Sequence, residues 1–252
     1  MILDIDCVMP PGFDVTQVEG SAHESLKDKY PKNRKLFNSE LQVNFNPTAG
    51  SEPTSSSQKM SVQALQFFCE NEKNSIQQLV QFRTQGFSFN RMAPYKSLDE
   101  YLPEIERVWK IFTATTSPKQ ITLARLRYVN RILLPFPTDG SGITLLDFIR
   151  SAPQIPLGNI ALISFLSQQI GAVLNSSNQV HTVLLGQPIE DNHAPIIFDN
   201  AAVWSGDLDP NNWSQILNII NELRLLKNEV FRNTLTDKCL AIYQKPKEQT
   251  LP

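Results

Sequence analysis

The stretch ITLARLRYVNRILLP, residues 121–135, decides the fold. Read with a period of two, it sets Thr122, Ala124, Leu126, Tyr128, Asn130, Ile132 and Leu134 on one side. The other side holds Arg125, Arg127 and Arg131 among Leu123, Val129 and Leu133. This is a long strand with one apolar face and one arginine-rich face.

The segments upstream also read as strands. ILDIDCVM (2–9) is β-leaning and is broken by PPG. HESLKDKY (23–30) has helical character and stops at Pro31. In LQVNF (41–45), Leu41, Val43 and Phe45 alternate with Gln42 and Asn44. VQALQFF (62–68), IQQLVQFR (76–83) and GFSFNRM (86–92) continue an antiparallel meander. The Pro-, Gly- and Ser-rich run between LQVNF and VQALQFF is expected to be an exposed hairpin loop over 47–60. Ser97 and Glu100 have capping-box spacing, and Ile105, Val108, Trp109 and Phe112 recur at helical spacing.

Downstream, LLDFIR (145–150) reads as a short helix. IALISFL (160–166), QVHTVLLG (179–186) and PIIFDNAAVW (195–204) read as strands, the first ambiguous with helix. Asp209, with Pro210 behind it, reads as the cap of a helix striped by Trp213, Ile216, Leu217, Ile220, Leu223, Leu226 and Phe231. TDKCLAIYQ (236–244) is a last short helix and KPKEQTLP a fraying tail. Strands and helices do not alternate strictly. The expected class is therefore α+β: a large, mostly antiparallel sheet with helices on one face. A single domain over 1–245 with a tail at 246–252 is expected.

Composition narrows the function. The 252 residues carry Lys+Arg 23 against Asp+Glu 25, a net charge of -2, with 41% hydrophobic residues. That is not a disordered chain, nor a strongly basic nucleic-acid binder. Cys7, Cys69 and Cys239 are widely spaced without C-x-x-C, so neither a disulfide framework nor a zinc ribbon is expected. The opening residues carry Asp4 and Asp6 where a signal peptide is apolar, and no run reaches the ~20 apolar residues of a membrane helix. The expectation is a cytoplasmic protein without membrane association.

The familiar catalytic grammars are absent: no G-x-G-x-x-G, G-x-x-x-x-G-K-[ST], G-x-S-x-G or H-E-x-x-H. His23, His181 and His193 stand apart in sequence. No catalytic residue, metal ligand or cofactor is assigned. Asp4 with Asp6 could bind a metal or share a proton, but reads as a solvated strand end. Asp191, His193 and Asp199 read as turn residues, and Gly140-Ser141-Gly142 as a plain loop. The strongest candidate site is the arginine stripe, Arg125, Arg127 and Arg131, with Asn130 on the same strand and Arg91 in the meander. Arginine forks can grip phosphate or carboxylate, or be answered by a covering helix's carboxylates such as Glu104 or Glu106. Asn90 and Asn130 look buried and need hydrogen-bond partners.

The pieces GFSFNRMAPY (86–95), RYVNRI (127–132) and LKNEVFRNTLTD (226–237), in this order, resemble a sporadically distributed bacterial family of about 250 residues, known by number rather than by function. The resemblance runs from about Tyr30 to Asp237. It departs where Asp199 is followed by Asn200 instead of an apolar–Asp pair. It implies no activity and no catalytic residues; patchy distribution is typical of mobile and defence loci. Two expectations follow. One is a non-catalytic binding or regulatory protein acting through a macromolecular partner, a protein encoded by a neighbouring gene, as an antitoxin or defence accessory. The other is an anionic-ligand or nucleotide-responsive protein, an enzyme included, using the arginine face. Homo-oligomerisation stays open.

Overall fold

The computed structural model describes residues 1–45, 53–94, 97–137, 142–154 and 163–242. Among the described residues nine strands form a sheet in the order β2-β3-β4-β5-β1-β6-β9-β8-β7. They are β1 (Ile2–Val8), β2 (Lys32–Phe45), β3 (Pro53–Glu70), β4 (Ile76–Arg83), β5 (Gly86–Arg91), β6 (Gln120–Pro135), β7 (Phe165–Ala172), β8 (Asn178–Gly186) and β9 (His193–Leu208). Four α-helices accompany them among the described residues: α1 (Glu19–Leu26), α2 (Leu102–Thr116), α3 (Trp213–Thr234) and α4 (Asp237–Ala241). The β1/β5, β2/β3, β3/β4, β4/β5, β7/β8 and β8/β9 pairs are all antiparallel. The class is α+β, as the sequence indicates.

The chain divides into two compact units. The N-terminal unit holds Ile2–Leu123 and Asp207–Trp213; the C-terminal unit holds Met1, Ala124–Gly206 and Ser214–Pro252.

In the N-terminal unit, α2 forms where Ile105, Val108, Trp109 and Phe112 fall on one face, and all four are buried. The Phe87 ring meets Trp109 edge-on at 5.5 Å, and Phe82 meets Phe112 at 5.1 Å. Such offset aromatic contacts add to simple area burial. The Trp109 indole N–H donates to the Pro210 carbonyl at 2.9 Å, so the buried ring leaves no polar group unsatisfied. Ser117, at φ 50, ends α2 in a left-handed cap. Gly86 has φ +146, and a Cβ there would lie 2.1 Å from the Ile5 carbonyl, so β1 and β5 can approach only over a glycine. Between helices, the Glu104 carboxylate accepts from Arg107, Lys29 and the Tyr30 hydroxyl. Burial raises its pKa, but these three donors outweigh that and hold it below the ordinary value.

In the C-terminal unit, Ile132, Leu134, Leu184, Ile196 and Phe198 build a core with Leu235 and Cys239, and Phe231 packs against it. Phe198 and Phe231 stack at 5.3 Å.

Several boundaries differ from those read in the sequence. Residues 53–60, placed in the loop, belong to β3 and pair with β2: Ser55, Ser56 and Ser57 are the backbone register partners of Asn44, Val43 and Gln42. A two-stranded ribbon needs no apolar face to keep its backbone bonds, so composition hid it. Residues 47–52 lie outside the described residues, as do Gly140 and Ser141 and the tail. Asp209 does not cap α3; its carboxylate accepts from the Asn211 amide in a local turn, and the helix begins at Trp213. LLDFIR contributes one 3₁₀ turn, Leu145–Asp147.

Candidate functional site

From Ala124 onward β6 keeps the alternation read from its sequence; before it the order breaks, with Ile121 buried and Thr122 half-buried. Ala124, Leu126, Tyr128, Ile132 and Leu134 are buried, while Arg125 and Arg127 are half-buried and Arg131 exposed on the opposite face. Asn130 alternates to the side of Ile132 and Leu134, half-buried, so it does not join the arginines. Arg91 belongs to the N-terminal unit, its guanidinium 5.3 Å above the Tyr101 ring. The five residues expected together thus reduce to three on one face of one strand.

Two of the arginines are answered by carboxylates of their own unit. Arg127 holds Asp199 of β9 in a fork: Nε donates to Oδ1 at 2.8 Å and to Oδ2 at 3.1 Å, and Nη2 donates to Oδ2 at 2.5 Å. The Asp199 side chain is 16% exposed and that of Arg127 39%. Arg131 donates to Glu190 in a pair exposed on both sides. The expected carboxylates, Glu104 and Glu106, instead serve Arg107 and Lys110 on their own helix. Phe198, next to Asp199, packs with Phe231 of α3, so Asp199 and the arginines take the face turned from that helix.

Strand registers fill in the rest of that face. Asp199 lies opposite Val183, Ile197 opposite Leu185, and Ala201 opposite His181. Leu185 in turn faces Leu166, and His181 faces Ile170. Leu166 is 65% exposed and Ile170 72%, and Leu185, Val129 and Leu133 are exposed too. The result is a sheet face on which neutralised arginine–carboxylate pairs are interleaved with exposed aliphatic side chains. Sequence reading missed Asp199 and Glu190 as partners. A signal was present: an aspartate alternating with Phe198 inside the apolar run PIIFDNAAVW demands a counter-charge on a neighbouring strand.

The N-terminal unit carries a row that sequence did not reveal. Arg34, Gln66, Gln81, Ser88 and Asp4 are register partners across β2, β3, β4, β5 and β1. Arg34 donates to Gln66 at 2.6 Å, Gln66 to Gln81 at 3.1 Å, and the Ser88 hydroxyl to Asp4 at 2.5 Å. Asp6 accepts from Arg83 at 2.6 Å. Asp4 and Asp6 are thus each engaged with a separate donor. Asn90, on the same face, is buried, and its Nδ2 meets no acceptor among the described residues.

The remaining sequence candidates stay apart. His193 Nδ1 bonds the Asp191 carbonyl at 2.8 Å in a tight turn, where Asp191 and Asn192 have positive φ. No group of three or more His, Cys, Asp or Glu among the described residues could hold a metal ion. No described helix is long and apolar enough to cross a membrane. Lys227 of α3 sits 3.6 Å over the Tyr128 ring; burial, then the Arg224 charge, lowers its pKa to about 8. No family model matches the chain, and no curated protein or solved structure shows significant similarity to it.

Proposed function

We propose that the protein is a non-catalytic binding protein that engages a protein partner through the face of β6, β9, β8 and β7 turned from α3. The observation that carries this reading is the pairing of two of the stripe's three arginines, Arg127 and Arg131, with carboxylates of neighbouring residues. An anion receptor keeps its guanidinium forks open for the ligand. Here Asp199 occupies the fork of Arg127, and Glu190 that of Arg131. Around these pairs Leu166, Ile170 and Leu185 stay exposed. Exposed aliphatic side chains among paired charges suit a surface of similar mixed character on another protein. A partner encoded by a neighbouring gene fits the same reading.

The test is co-purification from native cells using the wild-type chain and a Leu166→Asp, Ile170→Asp variant. Both positions are exposed on an edge strand, so the melting temperature should hold. The proposal expects one protein retained in stoichiometric amount by the wild type and lost by the variant. Equal retention, or no retained protein, refutes it.

A further inference from the structure

β7 ends the strand order, and no described strand pairs with its outer edge. Its neighbour fixes the phase of its backbone. The Val173 N–H donates to the Asn178 carbonyl at 2.9 Å, continuing the β7/β8 register. Phe165, Ser167, Gln169 and Gly171 therefore turn their backbone groups to β8, and Leu166, Gln168, Ile170 and Ala172 turn theirs outward. Gln168 to Ala172 are all exposed, Gly171 among them, and a glycine has only backbone to expose.

Edge strands are ordinarily defended against pairing with another chain, most often by charge or proline. β2, at the other end of the order, carries Lys32, Arg34, Lys35 and Glu40. The stretch from Ile163 to Leu174 holds no Asp, Glu, Lys, Arg or Pro. What it exposes is apolar: Leu166 and Ile170 on the strand, with Ile163 and Leu174 beyond its two ends.

We propose that β7 pairs antiparallel with β7 of a second copy of this chain, about a two-fold axis through Gln168. The strand is self-complementary in that register. Leu166 comes opposite Ile170 of the second copy, Ile170 opposite its Leu166, and Gln168 opposite its own equivalent, so outward backbone groups meet outward backbone groups. On the other face Phe165 falls opposite Gly171, where a Cβ would meet nothing within 4 Å. The strand already makes an aromatic–glycine pair of this kind inside the chain, since Phe165 lies opposite Gly186 and its ring fills the space of the missing Cβ. Centring the axis on Ser167 or Gln169 instead sets Leu166 or Ile170 against Gln168, and the match is lost. A two-fold pairing uses the bare edge of both copies and leaves none to recruit a third. It also puts the two arginine faces on the same side of the joined strands.

The purified full chain, with no other protein present, tests the pairing by sedimentation equilibrium. The wild type should show a monomer–dimer equilibrium in the micromolar range. Gln168→Pro removes an outward N–H and no bond to β8, so this variant should sediment as a monomer with its circular dichroism unchanged. Charges read the register. Leu166→Lys with Ile170→Lys sets like charges opposite each other and should weaken the dimer roughly tenfold, the equivalent of about 1.4 kcal/mol. Leu166→Glu with Ile170→Lys sets opposite charges there and should keep it. A monomeric wild type overturns the proposal, as does a dimer that survives Gln168→Pro or treats the two charge variants alike. The pairing does not rest on the protein-partner reading of the sheet face: a wild-type dimer that retains no partner from native cells upholds the one and refutes the other.

Discussion

Replacing Arg127 by Leu separates a structural guanidinium from a ligand-gripping one. The substitution keeps much of the bulk and removes the donors that hold Asp199 at 2.5–3.1 Å. Breaking a fully buried pair costs about 3–5 kcal/mol, because the remaining charge is left without compensation. Here the Asp199 side chain is 16% exposed and that of Arg127 39%, so water reaches part of the site. Discounting for that access gives a loss of about 2 kcal/mol. In a chain of this size each kcal/mol shifts the melting temperature by about 2–4 °C, so the expected drop is about 4–8 °C. Differential scanning calorimetry reads it directly. Arg127→Lys, which keeps the charge but not the fork, should fall between the two. The double variant Arg127→Leu, Asp199→Leu should recover most of the loss, since no charge is then stranded. An Arg127→Leu melting temperature within about 1 °C of wild type would refute the reasoning, because the fork would then contribute nothing to the fold.

Other consequences can be checked separately. Phe112→Ala removes a ring packed against Phe82, Phe87 and Trp109, and denaturant titration should show a loss of about 3–5 kcal/mol. Lys227 has its pKa lowered from the ordinary 10.5 to about 8, so between these values the unfolded chain holds a proton that the folded one lacks. Stability therefore rises with pH across that window, and the penalty is fully present below it. The melting temperature of wild type minus that of Lys227→Met should climb from pH 8 to 10; a flat difference contradicts the burial of this amine. Burial pushes the Cys7 thiol up to about 12 and the Cys239 thiol to about 11, so alkylation of the native protein should modify half-buried Cys69 first.

The fold could be read from the sequence wherever a strand has one wet and one dry face. β6 alternates from Ala124 onward, and so the side on which Arg125, Arg127 and Arg131 lie was legible from its sequence. IQQLVQFR matched β4 residue for residue. Reading failed where both faces of a strand are polar, as at 53–60 of β3: backbone pairing there needs no apolar pattern. It failed again at α3, where Asp209-Pro210 has the chemistry of a helix start, but Asp209 closes a local turn instead. The site was half legible. Period two gives the face of an arginine, but not which carboxylate of a strand some 70 residues away in sequence comes alongside it. Asp199 looked like a turn residue because Pro188 and Pro195 lie near it in sequence, yet it sits inside β9. The row Arg34, Gln66, Gln81, Ser88 and Asp4 was invisible for the same reason, since it exists only once five strands are in register.

Carbene footprinting of the full chain tests the central claim most directly, because it labels side chains by exposure. In the isolated protein Leu166, Ile170, Leu185, Val129 and Leu133 should label strongly. The account predicts that these five lose their labelling in the complex purified from native cells and keep it in millimolar inorganic phosphate. Unchanged labelling of this face in the complex, or its protection by phosphate alone, would contradict a protein-binding surface.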